Sequence, residues 1–432
     1  MKAILGVRGA NLAEMAGVGL PVPPGFTIST EACAFFNKHG SQSPPGLTEQ
    51  IKVQLKKLEE RMEKNFGDNQ NPLLVSVRSG AAVPVPGLMD AVLNLGLTDK
   101  TIPGFIRQAG NDRTGWDCYR RFIATFGEVV MGPASGLTHR DFENAMQEIK
   151  RKYNAKQDTD LTASQLKELT ENFKKIYFQK VRKSFPQDPL EQLRLAIHAA
   201  FQSWASSPAE QYRRSNRVAG LLGTAVNVCA MVIGNIGDES GVGVAFTRDG
   251  QTGSSKPRGE YLVNAQGEDL FAGVRTAKDL HEMPRELSPL WAKVYGSILE
   301  ILEKLERHYQ YPQSVEFAVE QGRLWILQTF NATHTGLAGV RWVVEMATGR
   351  DVFTGEAQAR LLTPKEALLS LTAVDLEQML LPVFDTAAER KATLLARGMP
   401  SAPGAASGRM VFDAREAEKA AGEDKQDRMI LV

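Results

Sequence analysis

Apolar and polar positions change period several times along the chain. From Ser314 to Phe330 (SVEFAVEQGRLWILQTF), Val315, Phe317 and Val319 alternate with Ser314, Glu316, Ala318 and Glu320; after Gly322, Arg323 to Thr329 resume an extended pattern. Period-two alternation on both sides of a glycine predicts a β-hairpin. A three-residue loop, Glu320-Gln321-Gly322 with a left-handed glycine, sets Gln328 opposite Ser314 and puts Glu316 and Gln328 on one face. A two-residue loop flips the second strand and separates them. The alternation leaves both registers open.

Upstream, residues 6–25 (GVRGANLAEMAGVGLPVPPG) combine a glycine-rich turn, a short helical pattern through Leu12 and Met15, and a Pro/Gly stop. Helices are predicted over Thr30 to Asn37 and Leu47 to Asn65. A buried strand beginning at Leu73 delivers Arg78 at its end, ahead of a Gly/Pro-rich loop. From Asn111 to Ser206 the period is helical. Thr162-x-x-Gln165 is a capping box, followed by a face of Leu166, Leu169, Phe173, Ile176 and Val181. Leu190, Leu193, Ile197, Phe201 and Trp204 mark another helix, where His198 reads as core or boundary packing.

Between Thr224 and Arg275 three β-rich runs, AVNVCAMVIGN, VGVAFTRDG and GEYLVNAQGEDL, predict an antiparallel sheet that the hairpin completes. One long helix intervenes, starting at Ser288-Pro289 and running to about His308, a position favourable near a helix C-terminus. Gly336 to Arg397 reads as helical with breaks at Pro364 and Pro382. A loop from Met399 to Gly408 then leads to a strand at Arg409 to Phe412, a helix at Glu416 to Ala421 and a strand from Met429, so the last domain is expected to be incomplete.

Composition narrows the function classes. The 432 residues are 43% hydrophobic and 23% charged, with a net charge of +1, ordinary for a globular protein of two or three domains. Neither nucleic acid nor an anionic membrane is an expected partner, and any anion site must be local. Cys33, Cys118 and Cys229 are widely spaced and lack a CxxC, so neither a disulfide framework nor a zinc site is expected and the thiols read as reduced and cytoplasmic. No signal peptide or membrane span is read.

Three features carry candidate chemistry. Glu316 and an amide such as Gln328, on one strand face, can hold Mg²⁺ against phosphates. Backbone amides of the turn at Gly6 to Gly9, with Arg8, can cradle phosphate. Arg78, at the mouth of a buried strand, needs an anionic partner, a ligand or a carboxylate of the chain.

The ordered segments GANLAEMAGVGLPVPPGFTISTEAC, LLVSVRSGAAVPVPGLMDAVLNLGL, CYRRFIATFGEVVMG, GTAVNV, GVGVAFTRDGQTG, GEYLVNAQGEDLFAGVRT and VEFAVEQGRLWILQ closely resemble the amino-terminal half of the pyruvate phosphate dikinase family, across nearly all of residues 4–432. The resemblance implies an α/β, ATP-grasp-like nucleotide-binding fold. Its two lobes are residues 1–110 and 207–335, with a helical insertion at 111–206. A helical connector (336–398) and the start of a swivelling phosphohistidine domain (399–432) follow. It implies ATP and Mg²⁺ as cofactors. By the same resemblance Arg78 and Arg8 act on the phosphates, Gly87 and Met89 belong to the loop that closes over them, Glu268 and Asp269 lie at the adenosine end, and Glu316 and Gln328 hold the metal.

Other positions depart from the family pattern. Arg8 replaces the phosphate-contacting Lys and Val7 the preceding Gly; Cys229 stands for a Gln, Val242 for a Thr, Ser314 for a metal-binding Asp and Phe330 for an Arg. Fewer charges at phosphate and metal positions imply a degenerate site, weak or inactive in phosphoryl transfer, because that chemistry depends on positioning and charge neutralisation. The phosphohistidine motif and the pyruvate barrel do not occur in the sequence. The expected role is therefore regulatory or partner-binding, beside an authentic dikinase or a chain supplying a phosphohistidine domain. The alternative is an active ATP-dependent phosphotransferase that passes phosphate to such a histidine.

Overall fold

The computed structural model describes the chain except residues 84, 86, 87, 90, 272–274, 287, 381–392, 394–406, 413–428 and 432. It is a mixed α/β structure of two compact units. The first comprises Met1–Val244, Glu260–Ser297 and Val315–Thr329; the second comprises Ala245–Gly259, Ile298–Ser314 and Phe330–Val432.

The first unit holds an antiparallel sheet in the order Gly25–Ile28, Ala225–Ala230, Val75–Gly80, Val92–Leu95. The strands VSVRSG and AVNVCA alternate, so each face of the sheet collects one parity. Val75, Val77, Val226, Val228 and Ile28 join the core with the helices Asp112–Thr125, Ala163–Val181 and Pro189–Trp204. Within that core Tyr119, Phe122, Phe126 and Tyr177 meet Phe185 edge-on. Residues of the other parity are polar: Arg78 lies across from Asn227 and Ser76 from Cys229, and Thr27 flanks Asn227 on the far side.

The helix Lys2–Gly17 lies against that polar face, with a break in helical geometry at Gly6 (φ 67°, ψ 173°). Only glycine fits there, since a Cβ would stand 1.9 Å from the Gly80 carbonyl oxygen. The next amide, Val7, donates to the Ala81 carbonyl at 2.8 Å. The chain is thereby fastened to the end of the Arg78 strand.

A second sheet has the order Arg323–Asn331, Gln313–Glu320, Gly241–Phe246, Arg258–Val263, Lys278–Asp279. Here one expectation is corrected, and a register that the alternation left open is decided. The run AVNVCA does not join the hairpin's sheet; it pairs with the Arg78 strand and Gly25–Ile28, because its valines match the apolar parity of that sheet. Periodicity marks a strand without naming its partner. The hairpin turn, moreover, has two residues, Gln321 (φ 50°) and Gly322 (φ 76°), the mirror-image turn that suits strand twist. Counting from Glu320 opposite Arg323, Pro312 would face Asn331, yet its carbonyl accepts from the Ala332 amide at 2.8 Å. One extra residue is therefore absorbed on the second strand, where Gln328 and Thr329 are both buried in succession.

Other expectations stand with adjusted ends. The capping box is present, with the Thr162 amide donating to Gln165 Oε1 at 2.9 Å, and helices span Leu47–Met62 and Leu290–Tyr309. His198 is half-buried, 2.9 Å from the Ser43 hydroxyl, and burial lowers its pKa.

In the second unit Arg248 forks between Glu306, at 2.8 Å, and the fully buried Glu345. Helices Gly336–Thr348, Pro364–Ser370 and Ala373–Gln378 replace the longer helical stretch expected there, and Pro382 lies outside the described residues. Asp351 interrupts the helical stretch by accepting from the Phe353 and Thr354 amides at 2.8 and 2.9 Å, which stabilises a turn. Arg409–Val411 pairs in parallel with Met429–Leu431, while the helix expected at 416–421 and the loop at 399–406 lie outside the described residues. Among the described residues no helix is long and apolar enough to cross a membrane.

Candidate functional site

The polar face of the first sheet forms one wall of a cleft in the first unit. Arg8, Ser76, Arg78, Asn227 and Cys229 line one part; Leu12, Leu93, Met231, Val232, Val242, Ala318 and Leu327 supply apolar surface, and Gln266 and Gly267 complete it. The cleft is partly open, with a space of about 60 Å³. One water needs only about 10–15 Å³ on the same measure, so the cleft has room for several waters or a small anion.

The electrostatics of the cleft set two cations side by side. Arg8 sits with Arg78 and Glu316 close by; burial, then the Arg78 charge, lower its pKa to about 10, with Glu316 and Cys229 opposing. Among the described residues, Arg8 Nη1 and Arg78 Nε are buried without a hydrogen-bond partner. Two adjacent cations with open donors are suited to an anion by charge and by hydrogen-bond count. Local structure holds them: Asn227 accepts from the Thr27 hydroxyl at 2.8 Å, and Gly80 comes so near Arg8 that a Cβ there would lie 3.2 Å from the Arg8 Cβ.

The hairpin is tied to the same segment. Ile326 donates its amide to the Pro21 carbonyl, and Asn11 Nδ2 donates to the Thr329 carbonyl, each at 2.7 Å. Gln328 is fully buried, and among the described residues its Oε1 has no donor. Such an amide oxygen, with the Glu316 carboxylate, fits a hard divalent cation in kind. Among the described residues there is no group of three or more His, Cys, Asp or Glu able to hold a metal.

Glu268 and Asp269, at the start of the short helix Gly267–Phe271, are engaged by Arg121, whose Nη2 lies 2.9 Å from Asp269 and Nη1 3.4 Å from Glu268. Arg121 also meets Asp117 at 3.0 Å, and Asp117 meets Arg120 at 2.7 Å. Burial pushes the Asp117 carboxyl up, but Arg120 and Arg121 outweigh it and hold the group well below the usual carboxylate range. Asp269 Oδ2 accepts from the Gln266 amide at 3.0 Å, and Gln266 Nε2 donates to Cys118 Sγ and Asn235 Oδ1, each at 3.1 Å. This network fixes the cleft wall at Gln266.

Met89 is buried and its carbonyl accepts from the Ser79 hydroxyl at 2.6 Å, while Gly87 lies outside the described residues. The structure thus gathers Arg8, Arg78 and Glu316, and sets Glu268 and Asp269 upon Arg121. Sequence reading passed over Arg121, Asp117, Gln266 and Asn227. Of these, Asn227 alone left a signal, a polar residue at the inner position of an alternating strand.

Comparison with known proteins gives a consistent result. A family model described as "Pyruvate phosphate dikinase, AMP/ATP-binding domain" matches residues 40–285 and 290–348. The "Pyruvate, phosphate dikinase, chloroplastic" of Mesembryanthemum crystallinum is 45% identical over 432 residues, 100% of this chain and 43% of the relative. The "Pyruvate, phosphate dikinase 1, chloroplastic" of Arabidopsis thaliana is 44% identical over 418 residues, 97% of this chain and 41% of the relative. The "Pyruvate, phosphate dikinase 2" of Zea mays is 45% identical over 418 residues, 97% and 45% respectively. The chain therefore spans less than half the length of these relatives. Two of the three names read chloroplastic, so they lend no support to the expected cytoplasmic location.

Proposed function

Because the chain belongs to the pyruvate phosphate dikinase family, we propose that its first compact unit is an ATP-grasp-like nucleotide site in which Arg8 and Arg78 bind phosphate oxygens. The apolar surface of the cleft takes the base. On this reading residues 1–110 and 207–335 are the two lobes, with Ala225–Ala230 crossing into the sheet of the first, 111–206 a helical insertion, 336–398 a connector and 399–432 the start of a phosphohistidine domain. The supporting observation is the pair of unpartnered guanidinium nitrogens, Arg8 Nη1 and Arg78 Nε, in a cleft that also offers apolar surface.

Glu316 and Gln328 are the residues to hold Mg²⁺, which when bound neutralises charge between phosphates and chain. Glu268 and Asp269 lie at the adenosine end, and Gly87 and Met89 belong to the loop over the phosphates. We infer further that transfer is slow and that the chain is a regulatory or partner-binding member of the family, acting beside an authentic dikinase or a chain carrying a phosphohistidine domain. Support comes from residue chemistry: Ser314, two positions before Glu316, offers no carboxylate, Phe330 offers no donor, and Arg8 follows Val7 where a backbone approach to phosphate favours glycine.

Calorimetry with ATP, with and without Mg²⁺, tests the first part; binding with little gain from Mg²⁺ is expected, and no binding rejects the site. Turnover of β- or γ-labelled ATP at about one per second or faster, usual for kinases, rejects the slow-transfer reading in favour of an active phosphotransferase.

A further inference from the structure

We propose that Cys229 is a reversible oxidation site that closes the phosphate cradle: a hydroperoxide converts its thiol to a sulfenate whose oxyanion takes a phosphate's place beside Arg8 and Arg78. The proposal rests on the nucleotide reading of this cleft. Three observations carry it. Cys229 stands on the polar face of the sheet, across from Ser76 and Gly25, and lines the same cleft as both arginines. Arg8 Nη1 and Arg78 Nε, among the described residues, are buried donors without acceptors, so an oxygen anion on the neighbouring sulfur supplies what the fold leaves open. Finally, the cleft that Cys229 shares with both arginines has room for small molecules, a peroxide or a reducing thiol among them.

The other two cysteines are built differently. Cys33 and Cys118 are fully buried, burial pushing their thiols up to about 11 and about 12. Cys229 is partly exposed; burial pushes its thiol above the ordinary value as well, and Arg78 and Arg8 offset only part of that rise. Selectivity thus follows from access and from the cations that hold the product.

The step balances. The Cys229 sulfur attacks one peroxide oxygen, an S–O bond forms and the O–O bond breaks. The departing hydroxide takes the thiol proton as water, the sulfur is oxidised by two electrons and the peroxide reduced. The sulfenic acid then ionises against the two guanidiniums; one external thiol displaces its oxygen as water to form a mixed disulfide, and a second thiol, itself oxidised to a disulfide, releases Cys229 as the thiol.

The test measures pyrophosphate affinity by calorimetry before and after dilute hydrogen peroxide, with peptide mass analysis locating the added oxygen. Oxidation at Cys229 should weaken pyrophosphate binding about tenfold or more, the scale of losing charge-assisted hydrogen bonds. Dithiothreitol should restore it. A Cys229→Ser variant, compared only with itself, should show no peroxide effect. Unchanged binding after Cys229 gains oxygen, or oxidation at Cys33 and Cys118 instead, overturns the proposal. Untreated protein that binds neither pyrophosphate nor ATP overturns the nucleotide reading, a result that binding retained after oxidation cannot mimic.

Discussion

The first unit contains two pairs of neighbouring arginines with opposite surroundings. Arg120 and Arg121 reach into a set of carboxylates, Asp117, Asp158, Glu268 and Asp269, at 2.7 to 3.4 Å. Arg8 and Arg78 have one carboxylate nearby, Glu316, and keep donors without acceptors among the described residues. Both pairs are desolvated, so the difference lies in who brings the counter-charge. At Arg120 and Arg121 the chain supplies it and the result is structure. At Arg8 and Arg78 the fold holds repulsion that an anion would relieve, so part of the folding free energy is available to a ligand.

The largest effect should come from breaking the satisfied pair. Asp117→Asn leaves Arg120 and Arg121 short of a buried partner and should cost about 3–5 kcal/mol in a urea melt. The Asp117 carboxyl is held below its unfolded value, so its contribution is present above that value and lost as pH falls through the lower folded one. Wild-type stability should therefore fall steeply on the acid side, and the Asn variant should lack that share of the slope. An equal acid slope in both would contradict the assignment.

Next, Arg78→Gln should leave the melt nearly unchanged while lowering affinity for pyrophosphate about 10–100-fold, the worth of one charge-assisted contact. Equal binding by both proteins would separate Arg78 from the anion. Arg8→Met works in the other direction. The Arg8 pKa is lowered to about 10 by burial and by Arg78, so the charged folded form carries a penalty that is full below about pH 10 and vanishes above the ordinary arginine value. At neutral pH the variant should gain roughly 1–3 kcal/mol of stability and lose phosphate binding; a loss of stability would show that Arg8 is paired. Ser314→Asp should have the smallest effect, a modest gain in the Mg²⁺ dependence of ATP binding. No gain would place the cation away from the hairpin.

Two strands of the first sheet were legible as strands, though not their pairing with each other. LLVSVRSG and TAVNVCA alternate, so Arg78 and Asn227 had to emerge on the polar parity, and the Thr162 capping box announced its helix. The hairpin was legible as two strands but not in register: a two-residue turn, with an extra residue further along the second strand, has the same hydrophobic pattern as a three-residue loop. The Arg121 network left no trace at all. Its members are spread over helix and loop residues whose spacing carries no periodic signal, and a buried Arg looks like an exposed one in a helix of mixed polarity.

What the sequence by itself determined is local or inherited: strand parity, helix caps and membership of a family whose motifs run in order. Only the tertiary structure decided which charges meet. Arg78 faces Asn227 across 149 positions and Arg121 reaches Glu268 across 147. Period and propensity act over a few residues, whereas the pairing of buried charges is settled when distant segments pack and exclude water; the same guanidinium is there either neutralised by the chain or left to receive a ligand.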